Sequence, residues 1–356
     1  GKDDYTQAVY QRILKTDPRT PEHKKAWSAF YENIEEALAA NKAVPTNAPG
    51  NMSGNRDASW LFNGRLNPVA PYAISGALWN QGWASQGGGI RYYNNLHSLV
   101  RGWRLVWGRN DLPVYFHQFY SNGVSDKPAI GGSADMRLGT WLARDIPNAD
   151  MACQIDIEGA IHYNHKTVPA RRLARHALKN QYGRDIRANG PMYESYEVED
   201  GKVIIEFDYA DGGLVVADPG YNAVERHDDS TGFADPKVIE NGEDQVKLFY
   251  VADKNRVWHK AQVEIDGDKA IVSAPGVDEP HGVSYATGGA GFQPNLYNKA
   301  LLPMVPFIVY DNELVTAENW PTKKLKVAGE KIDSSKVGLQ YSYRKMPLLS
   351  TQFRDN

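Results

Sequence analysis

Apolar runs that alternate with helical stretches between residues 72 and 182 constrain the fold of this chain most. Three short apolar runs are bounded by turn residues, as buried strands are: residues 72–79, 112–119 and 151–157. Each is followed by a stretch with apolar residues at helical spacing: residues 90–107, 133–145 and 168–182. Strands that alternate with helices pair in parallel through right-handed crossovers. The sequence therefore predicts an α/β fold with a doubly wound parallel sheet.

The pattern changes on both sides of this region. Residues 1–44 are polar with one apolar stripe at helical spacing, and the following stretch is rich in Pro, Asn, Gly and Ser. After Pro191 the apolar residues alternate with a period of two, and Asp266-Gly267 is expected as a hairpin turn. We therefore expect four parts: a helical segment and linker (1–58), an α/β domain (59–191), a small all-β domain (192–312) and an irregular tail (313–356).

Composition excludes several classes of partner and site. The formal net charge of −3 over 356 residues shows no basic excess, which argues against nucleic acid as a partner. No apolar segment approaches the roughly 20 residues that cross a bilayer, so no membrane span is expected. The single cysteine, Cys153, excludes an internal disulfide and lies in an apolar run, which favours a buried inert thiol. Nine Trp and twenty Tyr suit core packing and also the stacking of sugar faces.

The loop after the third predicted strand contains the candidate base. His162 lies between the run at 151–157 and the next predicted helix, where sites of α/β proteins assemble. Asp156, Glu158 and His165 are nearby, but their spacing matches no zinc pattern, so no metal is expected. Gly87-Gly88-Gly89 lacks the spacing of a phosphate-binding loop, so no nucleotide cofactor is expected either. A Gly-x-Ser-x-Gly nucleophile elbow is absent.

Several motifs along the chain carry a family resemblance. They are Leu61-Phe62-Asn63-Gly64, Gly76-Ala77-Leu78-Trp79-Asn80-Gln81-Gly82, Gly102-Trp103-Arg104, Ile155-Asp156-Ile157 and Asn295-Leu296-Tyr297-Asn298. In order and spacing, over about residues 25–310, they resemble the sialate O-acetylesterase family. The resemblance implies an SGNH-type hydrolase fold, a carboxylic ester hydrolase that removes O-acetyl groups from a carbohydrate ligand, and a secreted or periplasmic location.

Site residues follow from the same resemblance. His162 matches the family's base, which takes the proton of a nucleophilic serine. Asn63 matches the Asn of its Asn-Gly turn, while Gln81 and Gly82 match its Gln-Gly pair. Arg137 lies in the predicted helix in which Thr140 replaces a Gln of the family. We therefore expect Asn63, Gln81, Gly82, Trp83 and Arg137 to face substrate.

The chain also departs from the family pattern. Trp83 stands where the family has Glu, and Ala160 stands where it has the Asp that orients the base, so Glu158 is the candidate substitute. The nucleophile block Gly-Gln-Ser-Asn is absent, which leaves the predicted sheet incomplete at its amino-terminal side. Either an upstream segment or companion chain supplies the serine, or this is a catalytically degenerate relative that binds carbohydrate or serves assembly. A bulky indole in place of a carboxylate suits sugar stacking.

Overall fold

The structure is a computed structural model that describes residues 4–52, 60–70, 72–119, 125–157, 166–210, 212–219, 236–242, 245–288 and 294–329. The chain forms two compact units. Unit 1 contains residues 1–79, 94–115 and 145–150, and unit 2 contains residues 80–93, 116–144 and 151–356. The four-part division expected from the sequence stays a prediction.

Five α-helices are present in the described residues: α1 (Asp4–Thr16), α2 (Pro21–Ala39), α3 (Arg91–Trp107), α4 (Gly132–Leu142) and α5 (Thr167–Asn180). The expected helices at 90–107, 133–145 and 168–182 correspond closely to α3, α4 and α5. Helix α3 ends before Gly108, which adopts a φ of +62° that favours glycine. No helix in the described part of the chain is long and apolar enough to span a membrane.

The amino-terminal helical stretch is a hairpin of two helices in unit 1. Pro18 lacks the backbone donor that would continue α1, and the Asp17 carboxylate binds Arg19 instead, with Nη2 to Oδ2 at 2.7 Å. Thr20 caps α2 by accepting the His23 amide on its hydroxyl, and Pro21 occupies the first turn. Helix α1 then packs against α2.

Sixteen short strands lie in the described residues. They are β1 (Ala77–Trp79), β2 (Val114–His117), β3 (Ala149–Ala152), β4 (Met192–Glu199), β5 (Lys202–Asp208), β6 (Leu214–Asp218), β7 (Lys237–Val238), β8 (Phe249–Ala252), β9 (Val257–Lys260), β10 (Gln262–Asp266), β11 (Lys269–Ser273), β12 (Gly282–Tyr285), β13 (Leu296–Asn298), β14 (Phe307–Tyr310), β15 (Glu313–Leu314) and β16 (Lys326–Val327).

A three-stranded parallel sheet has the order β1-β2-β3. Beside β1, the Ala77 amide donates to the Pro113 carbonyl at 2.9 Å, and beyond β2 the Gln118 amide donates to the Ala152 carbonyl at 3.0 Å. All four residues of β2 are buried, which explains its continuous apolar character in the sequence. The predicted mixed α/β fold with a parallel sheet is confirmed to this extent, while the SGNH-type assignment stays a prediction.

The carboxyl-terminal half is built from antiparallel strands in unit 2. A four-stranded sheet has the order β10-β11-β5-β4, and a six-stranded sheet has the order β15-β14-β12-β8-β9-β16. Phe307 joins their cores, because its ring stacks on Tyr193 at 5.0 Å and meets Phe207 edge-on at 6.1 Å. The remaining three strands follow the order β13-β6-β7. This arrangement is the β-rich part that period-two alternation predicts.

Three local expectations need correction. The strand expected at 151–157 ends at Ala152, because residues 153–157 form a buried turn around Asp156. Residues 256–265, whose alternation predicts one strand, form two, since the chain passes from the six-stranded to the four-stranded sheet at Ala261. The turn between β10 and β11 lies one residue later than expected, with Asp266 paired to Lys269 and Gly267 at a φ of +61°.

Part of the segment expected as an irregular tail covers the six-stranded sheet. It contains β15 and β16, and its Trp320 is 8% exposed in a cluster with Trp258 and Tyr310. The Arg256 guanidinium lies 4.6 Å above the Trp320 ring and 5.1 Å above the Tyr310 ring, which adds cation–π attraction to this contact.

Candidate functional site

A buried ion pair holds the turn that follows β3. Both Asp156 oxygens accept from Arg172 on α5, at 2.6 and 2.7 Å, and the Tyr297 hydroxyl donates to the same carboxylate at 3.0 Å. Arg172 also donates to the Cys153 carbonyl at 2.9 Å. Because the Asp156 side chain is fully buried and has three donors, it is a structural anchor. It fixes the backbone up to Ile157, directly before the segment of the sequence that contains His162.

His162 and Glu158, the predicted base and its orienting acid, lie outside the described residues, as does His165. Their roles stay predictions. In the part of the chain that the structure describes, no group of three or more His, Cys, Asp or Glu residues is arranged to hold a metal ion. Asp156, which the sequence places among possible metal ligands, is occupied by Arg172 and Tyr297.

Gln81 and Gly82 follow β1 in the sequence, and contacts with neighbouring side chains fix their positions. The Gln81 Oε1 accepts from the Tyr92 hydroxyl at 3.0 Å, and its Nε2 donates to the Ser85 hydroxyl at 3.2 Å. Gly82 is buried, and a Cβ there would lie 2.6 Å from the Met136 methyl and 2.7 Å from the Phe119 ring. Its φ of 170° is extended, so close packing accounts for the glycine. A short 3₁₀ helix then begins at Trp83 and ends at Gly88.

Arg137 is the most unusual of the predicted substrate-binding residues. It is 2% exposed, and its Nη2 donates to the carbonyls of Thr287 at 2.8 Å and Gly288 at 3.0 Å. Its Nε and Nη1 have no hydrogen-bond acceptor among the described residues. Burial lowers its pKa from 12.5 to about 10, so it remains a cation at neutral pH. A buried cation without a described carboxylate partner can stabilise negative charge that develops close to it.

Gln118 is a residue of this region that sequence reasoning missed. It follows β2, is fully buried, donates to the Arg137 carbonyl at 3.0 Å and accepts from the Cys153 thiol at 3.4 Å. Cys153 is buried, as expected, and this burial is the main cause that raises the pKa of its thiol to about 12. The sequence signal for Gln118 was a polar residue inside the apolar run at 112–119.

Asn63 lies in unit 1 and is exposed. It belongs to a turn of π-helix, Phe62–Leu66, that has no buried residue. Single π-helical turns occur often at functional sites, because their widened turn leaves backbone groups available. The structure therefore places the Asn63 side chain at the surface of unit 1.

His117, at the end of β2, should make stability depend on pH. Burial lowers its pKa from 6.5 to about 4, although its Nε2 contacts the Pro169 carbonyl at 2.9 Å. The unfolded chain binds this proton near pH 6.5 and the folded chain only near pH 4. The free energy of unfolding should therefore fall by roughly 3 kcal/mol as pH is lowered through that window. Urea titrations at pH 7 and pH 4.5 should show a smaller loss in His117→Gln, and equal losses in variant and parent would contradict the assignment.

Comparisons with known proteins give a match among solved structures. No model of a known protein family matches the chain, and no curated protein matches it. Among solved structures, a carbohydrate acetylesterase from Xanthomonas citri matches with a TM-score of 0.59 and 22% identity. The match covers 80% of this chain and 65% of that one, so this chain spans less than two thirds of its neighbour. The chain therefore shares the fold of that acetylesterase over most of its own length.

Proposed function

We propose that this chain is part of a carbohydrate O-acetylesterase of the sialate O-acetylesterase type. The observation that carries the proposal is the fold shared with a carbohydrate acetylesterase over 80% of the chain. The motifs around Asn63, Gln81 and Gly82 support it independently, because they resemble the same class of esterase. Like members of that class, the protein would act in a secreted or periplasmic setting.

In the proposed mechanism, a serine from an upstream segment or companion chain attacks the acetyl carbonyl. His162 takes the serine proton and passes it to the oxygen of the departing sugar, which leaves an acetyl-serine. A water then attacks this ester, and His162 takes the water's proton and returns it to the serine oxygen as acetate leaves. Glu158 orients the imidazole. The Gly82 backbone amide donates to the oxyanion. Trp83 supplies an apolar face for the sugar ring.

Two features of the described residues fit such a mechanism. The Asp156–Arg172 pair anchors the chain two residues before Glu158, which would limit the positions open to the acid and the base. The packing of Gly82 against Met136 and Phe119 fixes the backbone that would donate to the oxyanion. Both features position a site and take no chemical step themselves.

Acetate release from the intact protein, isolated with any companion segment bound, tests the proposal. O-acetylated sialic acid, an acetylated neutral sugar and p-nitrophenyl acetate should be compared as substrates. His162→Ala should reduce kcat/KM about a hundredfold or more, because a general base contributes at least that much. His259→Ala is the control, since His259 lies on β9 and binds Asp253 at 3.2 Å.

Three outcomes separate the alternatives. Faster turnover of the sialic acid ester supports the sialate assignment, and equal turnover of the neutral sugar supports only the broader class. Absence of turnover in the intact protein, or full activity of His162→Ala, contradicts the esterase. Sugar binding that is lost in Trp83→Ala, without any turnover, would instead support the degenerate carbohydrate-binding relative.

A further inference from the structure

Helix α2 presents an apolar strip to solvent. Tyr31 is 55% exposed and Leu38 is 63% exposed, although both are large apolar side chains near the middle and end of the helix. Seven residues separate them, which is about two helical turns, so they share one face. The neighbouring face, with His23 buried and Phe30 half-buried, is turned inward.

Charged residues of opposite sign lie at the two ends of this strip. Lys24 is seven residues before Tyr31 and Glu35 is four residues after it, so both lie within about 40° of Tyr31 around the helix axis. Both are exposed, and neither has a side-chain partner among the described residues. The strip is therefore defined by Lys24, Tyr31, Glu35 and Leu38, and its charge runs from positive to negative along the chain.

We propose that this strip binds a second copy of the chain, with the two α2 helices antiparallel and the two Tyr31 rings at the centre. In that arrangement Lys24 lies about 10.5 Å from the centre and the partner's Glu35 about 6 Å from it on the same side, at 1.5 Å per residue. The axial difference of about 4.5 Å is less than one helical turn, which a lysine side chain spans. Two-fold symmetry forms this pair twice.

Charge selects the orientation. Parallel helices would place Lys24 beside the partner's Lys24 and Glu35 beside the partner's Glu35, which is repulsive at both ends. Antiparallel helices replace both repulsions with attractions and let the Lys24 methylenes cover the partner's Leu38. The strip is thus complementary to itself in one orientation only.

Sedimentation equilibrium of the full chain from about 1 to 300 µM tests the proposal, since a single-helix contact should be weak. The parent should associate to a dimer. Lys24→Glu and Glu35→Lys should each weaken dimerisation about tenfold or more, because each introduces two like-charge contacts. Lys25→Glu and Glu36→Lys carry the same charge changes about 100° around the helix axis from Lys24 and Glu35, and should leave the dissociation constant unchanged.

Reciprocal exchange gives the sharper result. The double variant Lys24→Glu/Glu35→Lys should dimerise like the parent, because the pairs are restored with reversed signs. An equimolar mixture of the two single variants should also form a heterodimer for the same reason. Circular dichroism and melting temperature confirm that these exposed replacements leave the fold intact. A parent that stays monomeric at every concentration, or a dimer that Lys24→Glu leaves unchanged, would overturn the proposal.

Discussion

Replacement of Arg172 by Met should destabilise unit 2 by about 3 to 5 kcal/mol. The change removes the two charged hydrogen bonds of 2.6 and 2.7 Å to Asp156, whose side chain is fully buried. A buried carboxylate that loses its cation keeps the cost of desolvation without compensation. Chemical denaturation followed by tryptophan fluorescence measures the loss.

Two variants control this experiment. Arg184→Met makes the same chemical change at an exposed position of unit 2 shortly after α5, and should alter the free energy of unfolding by no more than about 0.5 kcal/mol. The double variant Asp156→Asn/Arg172→Met should be more stable than Arg172→Met, because it removes the uncompensated charge. If Arg172→Met lowers the free energy of unfolding by less than about 1 kcal/mol, the turn around Asp156 must rearrange so that solvent reaches the carboxylate.

Replacement of Gly190 by Ala should destabilise the protein by about 3 kcal/mol or more. A Cβ at this position would overlap the Pro303 carbonyl oxygen and lie 2.9 Å from the Pro303 carbonyl carbon and 3.0 Å from that of Leu302. Backbone atoms cannot rotate away as a flexible side chain does. The contact lies where residues 188–191 cross the segment after β13, held by the Val305 amide, which donates to the Pro191 carbonyl at 2.9 Å.

Gly87→Ala is the matched control for this change. It adds the same methyl group in unit 2, and no heavy atom lies within 4 Å of the added Cβ. Thermal unfolding should show a large fall in melting temperature for Gly190→Ala and little change for Gly87→Ala. Equal melting temperatures for the two variants would mean that the Pro303 segment yields at little cost.

Elements with a strong local signal could be predicted closely from the sequence. Helix α3 was expected at 90–107 and occupies 91–107, because its apolar residues recur at helical spacing and Gly108 ends it. Strand β11 lies at 269–273 as its alternation indicates, since one face of it is buried and the other partly exposed. In both cases the deciding information lies within a few residues.

The candidate site could be predicted only in part. Gln81 and Gly82 were found because they belong to one short motif, and the structure gives a packing reason for the glycine. The Asp156–Arg172–Tyr297 contacts were missed, because nothing in the local sequence distinguishes a charge that will be buried from one that will be solvated. Such contacts are decided by residues far along the chain, which a periodic pattern does not reveal.

That separation along the chain has a consequence for synthesis of the protein. The Tyr297 hydroxyl reaches Asp156 across 141 residues, and Arg137 reaches the Gly288 carbonyl across 151. When the ribosome has released the chain only as far as α5, Arg137 still lacks its acceptors, the carbonyls of Thr287 and Gly288. Asp156 can then bind Arg172, but Tyr297 on β13 has not yet been synthesised. Contacts of this length form late and slowly. Truncation before residue 297 should accordingly yield a nascent chain that chaperones and proteases recognise as incomplete.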